Sequence, residues 1–220
     1  MNGIAIQNNR SPVSQVPGIG KKDALYLWSA YRFKTGDTMG KTYSLFNVIQ
    51  GTQAGQGFAT PLTARETSII STPGSVPLDQ KWECWDMAVD FIGGGTLTDG
   101  AFTSTVPVSA AQAAELVNKL QIVFIRGGTQ VVQLGPASLY PSGGGVQGGD
   151  MATTDVANNG FNSAGARRRL GRNVKLNPGD TWTMAFLLAG TDDDDLALGT
   201  GAFVDARLSF WMYRDLGLSG

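Results

Sequence analysis

The sequence predicts an all-β fold, an antiparallel β-sandwich with one short inserted helix and long loops. Three observations carry this expectation. Apolar and polar residues alternate with a period of two over several segments, which puts one face of each strand in a core. Glycine and proline punctuate the chain between those segments, and 30 of 220 residues are glycine, about twice the usual share of roughly 7%. Good helix formers behind a capping signal occur in one stretch only. At 220 residues the chain is long enough for one sizeable core or for two small ones; we expect a polar arm over residues 1–24 and a single domain over 25–220.

The arm is rich in Gly, Pro and Asn and has no sustained period. Its composition alone reads as disorder, and an arm so poor in apolar residues needs a groove on a neighbouring subunit to hold it. The first strand is expected from Leu25 to Phe33. It is followed by Gly36-Asp37-Thr38-Met39-Gly40-Lys41-Thr42, which imitates a phosphate-binding loop. That loop requires four residues between its glycines and a helix after it. Here three intervene, and the stretch that follows, Tyr43 to Ile49, is aromatic and β-branched, which favours a strand. The segment therefore reads as a glycine-containing hairpin loop between two strands.

Residues 51–80 and 141–166 are almost unpatterned. Loops of this length are usually functional or binding segments in a compact domain, so both are expected to make lateral contacts with other molecules. Between them, Trp85, Met87, Val89 and Phe91 alternate with Asp86, Ala88 and Asp90. Ser109 and Gln112 form a capping box ahead of a helix continuing from Ala113 through Leu120. Ile122–Ile125 and Gln130–Leu134 read as a hairpin about Gly127-Gly128, whose positive φ angles suit a tight turn. Leu176–Asp180 is a turn launching a strand over Thr181–Ala189. In that strand Trp182, Met184, Phe186 and Leu188 share one face. The last strand is expected from about Ala202 to Tyr213, with Val204, Ala206, Leu208, Phe210 and Met212 facing inward.

Several function classes lose their residues. The chain has no histidine, which removes Ser-His-Asp and Cys-His nucleophile systems and zinc sites that need an imidazole. One cysteine, Cys84, permits no intrachain disulfide and no cysteine-rich metal cluster. No apolar run approaches a membrane span of about 18 residues. The first residues lack a secretory layout, so synthesis in a reducing cytosol is expected. Net charge is −1, and no global field draws the protein to nucleic acid or an anionic membrane.

Two charge clusters stand out. Arg167, Arg168 and Arg169, with Arg172 nearby, could contact phosphates, or could pair with acids within or between subunits. Asp192, Asp193, Asp194 and Asp195 could ligate Ca²⁺, although their spacing is not that of an EF-hand. They could equally form a solvated loop or the partner of the arginines. The three glutamates, Glu66, Glu83 and Glu115, are not fixed at separations that glycoside hydrolysis needs. The five tryptophans could stack on sugars or belong to the core. No catalytic apparatus emerges, and the chain is not expected to be an enzyme.

The polar arm, about eight strands with Gly/Pro turns, one short helix and long loops give a pattern that resembles the jelly-roll coat proteins of icosahedral viruses and bacteriophages. Leu176–Ala189 and Ala202–Leu216 carry the resemblance best. It implies two four-stranded antiparallel sheets packed face to face, an arm that ties neighbours together, and loops that set lattice contacts. It also implies a homo-oligomer with other virion proteins as partners, location in a virion after synthesis in the host cytoplasm, and neither cofactor nor small-molecule substrate. Coats of this kind often carry a strongly basic arm. Here the first 24 residues hold only Arg10, Lys21, Lys22 and Asp23, which weakens the case for nucleic-acid contact by the arm. The alternative from another class is a carbohydrate-binding β-sandwich of a phage receptor-binding or tail protein, assisted by Ca²⁺ at Asp192–Asp195.

Overall fold

The computed structural model describes residues 21–98, 101–103, 116, 118–141, 145–146, 157–158, 168–190, 196, 198 and 202–216. They form an all-β protein. Eleven strands run in chain order: β1 (Lys21–Lys34), β2 (Thr42–Ser44), β3 (Gln80–Thr98), β4 (Ala101–Thr103), β5 (Leu120–Arg126), β6 (Gln130–Pro136), β7 (Gly145–Val146), β8 (Ala157–Asn158), β9 (Arg168–Leu176), β10 (Trp182–Leu188) and β11 (Ala202–Leu216). In the first sheet the order is β1-β11-β3, and β4 and β9 divide the remaining edge of β3. The second sheet has the order β2-β10-β5-β6, while β7 and β8 form a small separate pair. Every pairing between these strands is antiparallel.

The pairings are nested. The first strand pairs with the last (β1 with β11), β2 with β10, β3 with β9, and β5 with β6 at the centre of the chain. Side chains from both sheets meet in one core. Trp182, Met184, Phe186 and Leu188 of β10 are buried with Val204, Ala206, Leu208, Phe210 and Met212 of β11, as their alternation predicts. Aromatic rings bridge the sheets: Phe33 to Phe186 at 5.9 Å, Trp182 to Phe210 at 5.6 Å and Trp82 to Trp182 at 6.0 Å between centroids. Such aromatic pairs add about 0.5–1.5 kcal/mol each beyond the area they bury.

Residues 1–20 of the expected arm lie outside the described residues, and Lys21–Ala24 belong to β1 and pair with β11; the structure corrects the sequence-based reading in several further places. First, Gly36–Thr42 is not a hairpin loop, because β1 and β2 lie in different sheets and the segment crosses between them. Met39 is buried on the way, and a Cβ at Gly190 would meet its side chain at 2.9 Å. Second, the strand expected over Tyr43–Ile49 ends at Ser44. Phe46 takes a positive φ of 59° and turns its ring into the core against Phe210 and Trp182. Third, the register on β11 passes from Cys84 to Asp86 and skips Trp85. This bulge removes Trp85 from the face that Met87 and Val89 present to the core. Fourth, β5 begins at Leu120, so the helix expected through Leu120 stops short; Leu116, Asn118 and Lys119 are helical, and residues 104–115 lie outside the described residues.

Residues 45–79 also behave differently from a free loop. Their polar backbone satisfies the outer edge of β1: Ala30 N–H donates to Glu66 O at 2.7 Å and Arg32 N–H to Gln56 O at 2.9 Å. Trp28 N–H donates to Ser68 Oγ, and Ser68 N–H returns to Trp28 O. Gln56 is buried beneath this segment and donates to Ser29 Oγ and Ala30 O. Ala30, Val48, Phe58 and Leu62 form a second, smaller core there. The long segment is therefore largely spent on covering a strand edge of its own domain.

Candidate interaction surfaces

The outer face of the first sheet is built from the residues of β1, β3 and β11 that alternate with the core positions. At one end it is ionic. Arg32 on β1 lies opposite Asp205 on β11 and binds it through two hydrogen bonds, 2.6 Å from Nε to Oδ1 and 2.8 Å from Nη2 to Oδ2. Arg207 on β11 lies opposite Asp90 on β3 and repeats the arrangement at 3.0 and 2.6 Å. Burial works against the Arg207 charge, but the hydrogen bonds and charge of Asp90 outweigh it and hold its pKa above the ordinary value.

Further along the same face the rows become aromatic. Tyr26, Trp211 and Asp86 stand side by side across β1, β11 and β3, and Arg169 occupies the next position on β9. Tyr26 packs on Trp211 at 4.5 Å and on Trp28 at 5.1 Å. The neighbouring row runs Ala24, Tyr213, Glu83 and Lys175. Tyr213 stacks with the bulged Trp85 at 5.7 Å and 22°. Tyr26 and Tyr213 keep 38% and 44% of their surface exposed. Sequence reasoning missed this row. Its signal was present, because Tyr26 and Trp28 alternate with Leu25 and Leu27, and Trp211 and Tyr213 with Phe210 and Met212.

A second surface is the free edge of the other sheet. β6 pairs with β5 on one side, and among the described residues no strand lies on its other side. Gln130, Val131, Val132 and Gln133 are all exposed. Adjacent residues of a strand point to opposite faces; Val131 and Val132 are 61% and 49% exposed, so both faces of β6 are open here. An open depression of about 550 Å³ lies beside this strand, between the β5–β6 turn and the turn at Gly179. Its charged residues, Arg126 and Asp180, are bound to each other at 2.6 Å, and Asp180 also accepts from Asn177 N–H. The pair is committed to holding the turn and offers no convergent acid–base couple.

Three of the predicted site residues lie on one strand. Arg168 and Arg169 belong to β9 opposite Met87 and Asp86, and Arg172 lies further along the same strand. Arg167 and Asp192–Asp195 lie outside the described residues. Among the described residues no group of three or more His, Cys, Asp or Glu is arranged to hold a metal ion, and no helix is long and apolar enough to cross a membrane. Trp82 and Trp182 are buried in the core, whereas Trp28, Trp85 and Trp211 stand half-buried on the outer face. Comparison with known protein families and with curated proteins finds no match for this chain.

Proposed function

We propose that the domain is a jelly-roll β-sandwich and that the protein is a structural subunit of a virus or bacteriophage particle, working by self-association and contacts with other virion proteins and not by catalysis. The observation that carries the reading is the nested pairing. A chain that pairs first strand with last, and works inward to a central hairpin, is one long hairpin rolled into two sheets, which is the path of a jelly roll. With β4, β7 and β8 set aside, the eight remaining strands divide four and four between the sheets.

The fold hosts capsid proteins, lectins and metal-dependent cupins alike, so the site must discriminate. A histidine-free sequence argues against the metal-dependent enzymes of this fold. A low charged fraction of 16%, exposed aromatic residues on one sheet and an undefended edge on the other favour burial between subunits. Subunits that each contribute several modest interfaces close into a shell through their combined strength. The β9 arginines leave contact with nucleic acid open as a secondary role.

The aromatic row of Tyr26, Trp28, Trp211, Tyr213 and Trp85 supports a second reading, a carbohydrate-binding module of a receptor-binding or tail protein. Sedimentation velocity over a concentration series, with and without added oligosaccharides and Ca²⁺, separates the two. The structural-subunit reading predicts concentration-dependent growth to large, discrete species that ignores the additives. A monomer at all concentrations whose melting temperature rises with a glycan would replace it with the second.

A further inference from the structure

We infer that the arm, residues 1–20, folds back on its own domain and pairs as an antiparallel strand with the first half of β1, over Lys22, Ala24 and Tyr26. The inference goes beyond the structural-subunit reading, and either can fail without the other. It starts from the way the outer edge of β1 is covered. Trp28 N–H donates to Ser68 Oγ, Ala30 N–H to Glu66 O and Arg32 N–H to Gln56 O. All three donors are even-numbered residues. Successive residues of a strand turn their N–H and C=O to opposite edges. Lys22, Ala24 and Tyr26 therefore turn theirs to the same outer edge, while Asp23, Leu25 and Leu27 turn theirs to β11. The cover stops at Trp28: among the described residues no backbone group bonds the outer edge from Lys21 to Leu27. An edge left open in this way is a template for another strand.

Three features select the occupant. The chain outside the described residues joins the domain at Lys21, the first residue of the open stretch, so its effective concentration there is that of a tethered ligand. Pro17-Gly18-Ile19-Gly20 stands between the arm and β1, and Pro-Gly with a second glycine close behind is turn chemistry. Residues 9–16 then run back alongside β1. Within them Pro12 sets the phase, because a residue without an N–H must face away from the neighbouring strand. Odd-numbered Ser11, Val13 and Gln15 are thereby turned towards the even-numbered residues of β1, and the new outer edge carries a proline, which discourages further pairing. A second copy of the same edge fits worse. Opposed residues of an antiparallel pair share a face, so a two-fold sets i against j only when their sum is even. Centring it on Asp23, Ala24 or Leu25 then puts Asp23 opposite itself, Leu25 or Leu27, an unfavourable partner each time. The arm is spent on its own sheet, as residues 45–79 are, in place of the neighbouring subunit expected from its composition.

Amide hydrogen exchange, resolved residue by residue by NMR, tests the pairing. The full chain is compared with a variant lacking residues 1–16, both checked by circular dichroism. In the full chain the Ala24 and Tyr26 amides are expected to exchange at least about tenfold more slowly than in the truncated variant. The Leu25 and Leu27 amides, which face β11, should be protected alike in both. A second pair of variants keeps the arm in place. Val13→Pro removes a donor that faces β1 and should release Ala24 and Tyr26, whereas Ser14→Pro removes one that faces solvent and should leave them protected. Fast exchange at Ala24 and Tyr26 in the full chain, protection that survives truncation, or equal behaviour of the two proline variants would overturn the pairing. So would protection that falls on dilution, which would assign the strand to the arm of a second copy.

Discussion

Arg32 is clamped between two rings while it holds Asp205 through both carboxylate oxygens. Its guanidinium carbon lies 4.6 Å from the centroid of Phe58 and 3.9 Å from that of Phe203. Phe58 belongs to the long segment between β2 and β3, and Phe203 and Asp205 to the last strand. One side chain thus joins the covering segment to the first sheet.

Asp205 retains only 4% of its side-chain surface, so removing its partner leaves a buried, uncompensated charge. Arg32→Ala is expected to cost about 3–5 kcal/mol. Replacing both partners with apolar residues, Arg32→Met with Asp205→Leu, should recover most of that loss. Urea unfolding of the two single variants and the double variant measures it. A single variant within about 0.5 kcal/mol of the parent, the usual range for a surface substitution, would show that the pair does not stabilise the sheet.

Gly57 and Gly51 both have positive φ, 82° and 74°. They differ in their surroundings. A Cβ on Gly57 would lie 2.2 Å from the backbone oxygen of Arg32, whereas one on Gly51 would meet nothing within 4 Å. Gly51→Ala is therefore expected to cost about 1–2 kcal/mol from backbone strain alone. Gly57→Ala should cost at least about twice that, because backbone cannot give way cheaply. Equal melting temperatures for the two variants would mean that the covering segment does not press against β1 as described.

Burial pushes the Cys84 thiol up to about 12, and the residue is 2% exposed. The thiolate is the reactive form. At pH 8 the native protein should not react with an aromatic disulfide reagent over hours, and one equivalent should react at once in denaturant. The folded state holds its proton where the unfolded thiol, with a pKa of about 8.5, has lost it. Stability should accordingly fall as pH rises from about 8.5 towards 12. Cys84→Ala removes that component of the slope. An unchanged slope would place the loss elsewhere.

Asp37 works in the same direction at acid pH. Burial raises its pKa, opposed by the N–H and charge of Lys34. A carboxyl with a raised folded pKa binds more protons folded than unfolded, so its contribution to stability falls as pH rises through the range above the ordinary carboxylate value. Asp37→Asn keeps an oxygen able to accept from Lys34 N–H while losing the titration. Its stability relative to the parent should improve with pH across that range and level off once the folded carboxyl has ionised. A constant difference between the two proteins would contradict this.

The strands legible in the sequence were those with one wet and one dry face. The inward residues of β10 and β11 are the ones that period two selects, and Gly127-Gly128 marked the β5–β6 turn with φ of 60° and 73°. Reading failed where tertiary packing overrode local preference. Tyr43–Ile49 has strand composition, yet Phe46 fits better into the gap between Trp182 and Phe210 than along a strand. Trp85 fits the alternation of β3, and only the bulge opposite β11 reveals that it has left the core face. The covering role of residues 45–79 depends on backbone groups of Gln56 and Glu66 meeting β1, contacts across more than 20 residues that no local pattern encodes.

The central claim is that the protein builds a particle from copies of itself and companion subunits. Negative-stain electron microscopy of the purified full chain, at micromolar to tens of micromolar concentration, addresses it directly. The account predicts closed particles or rings of uniform diameter. A field of separate molecules at every concentration, with scattering mass equal to one chain, would contradict it.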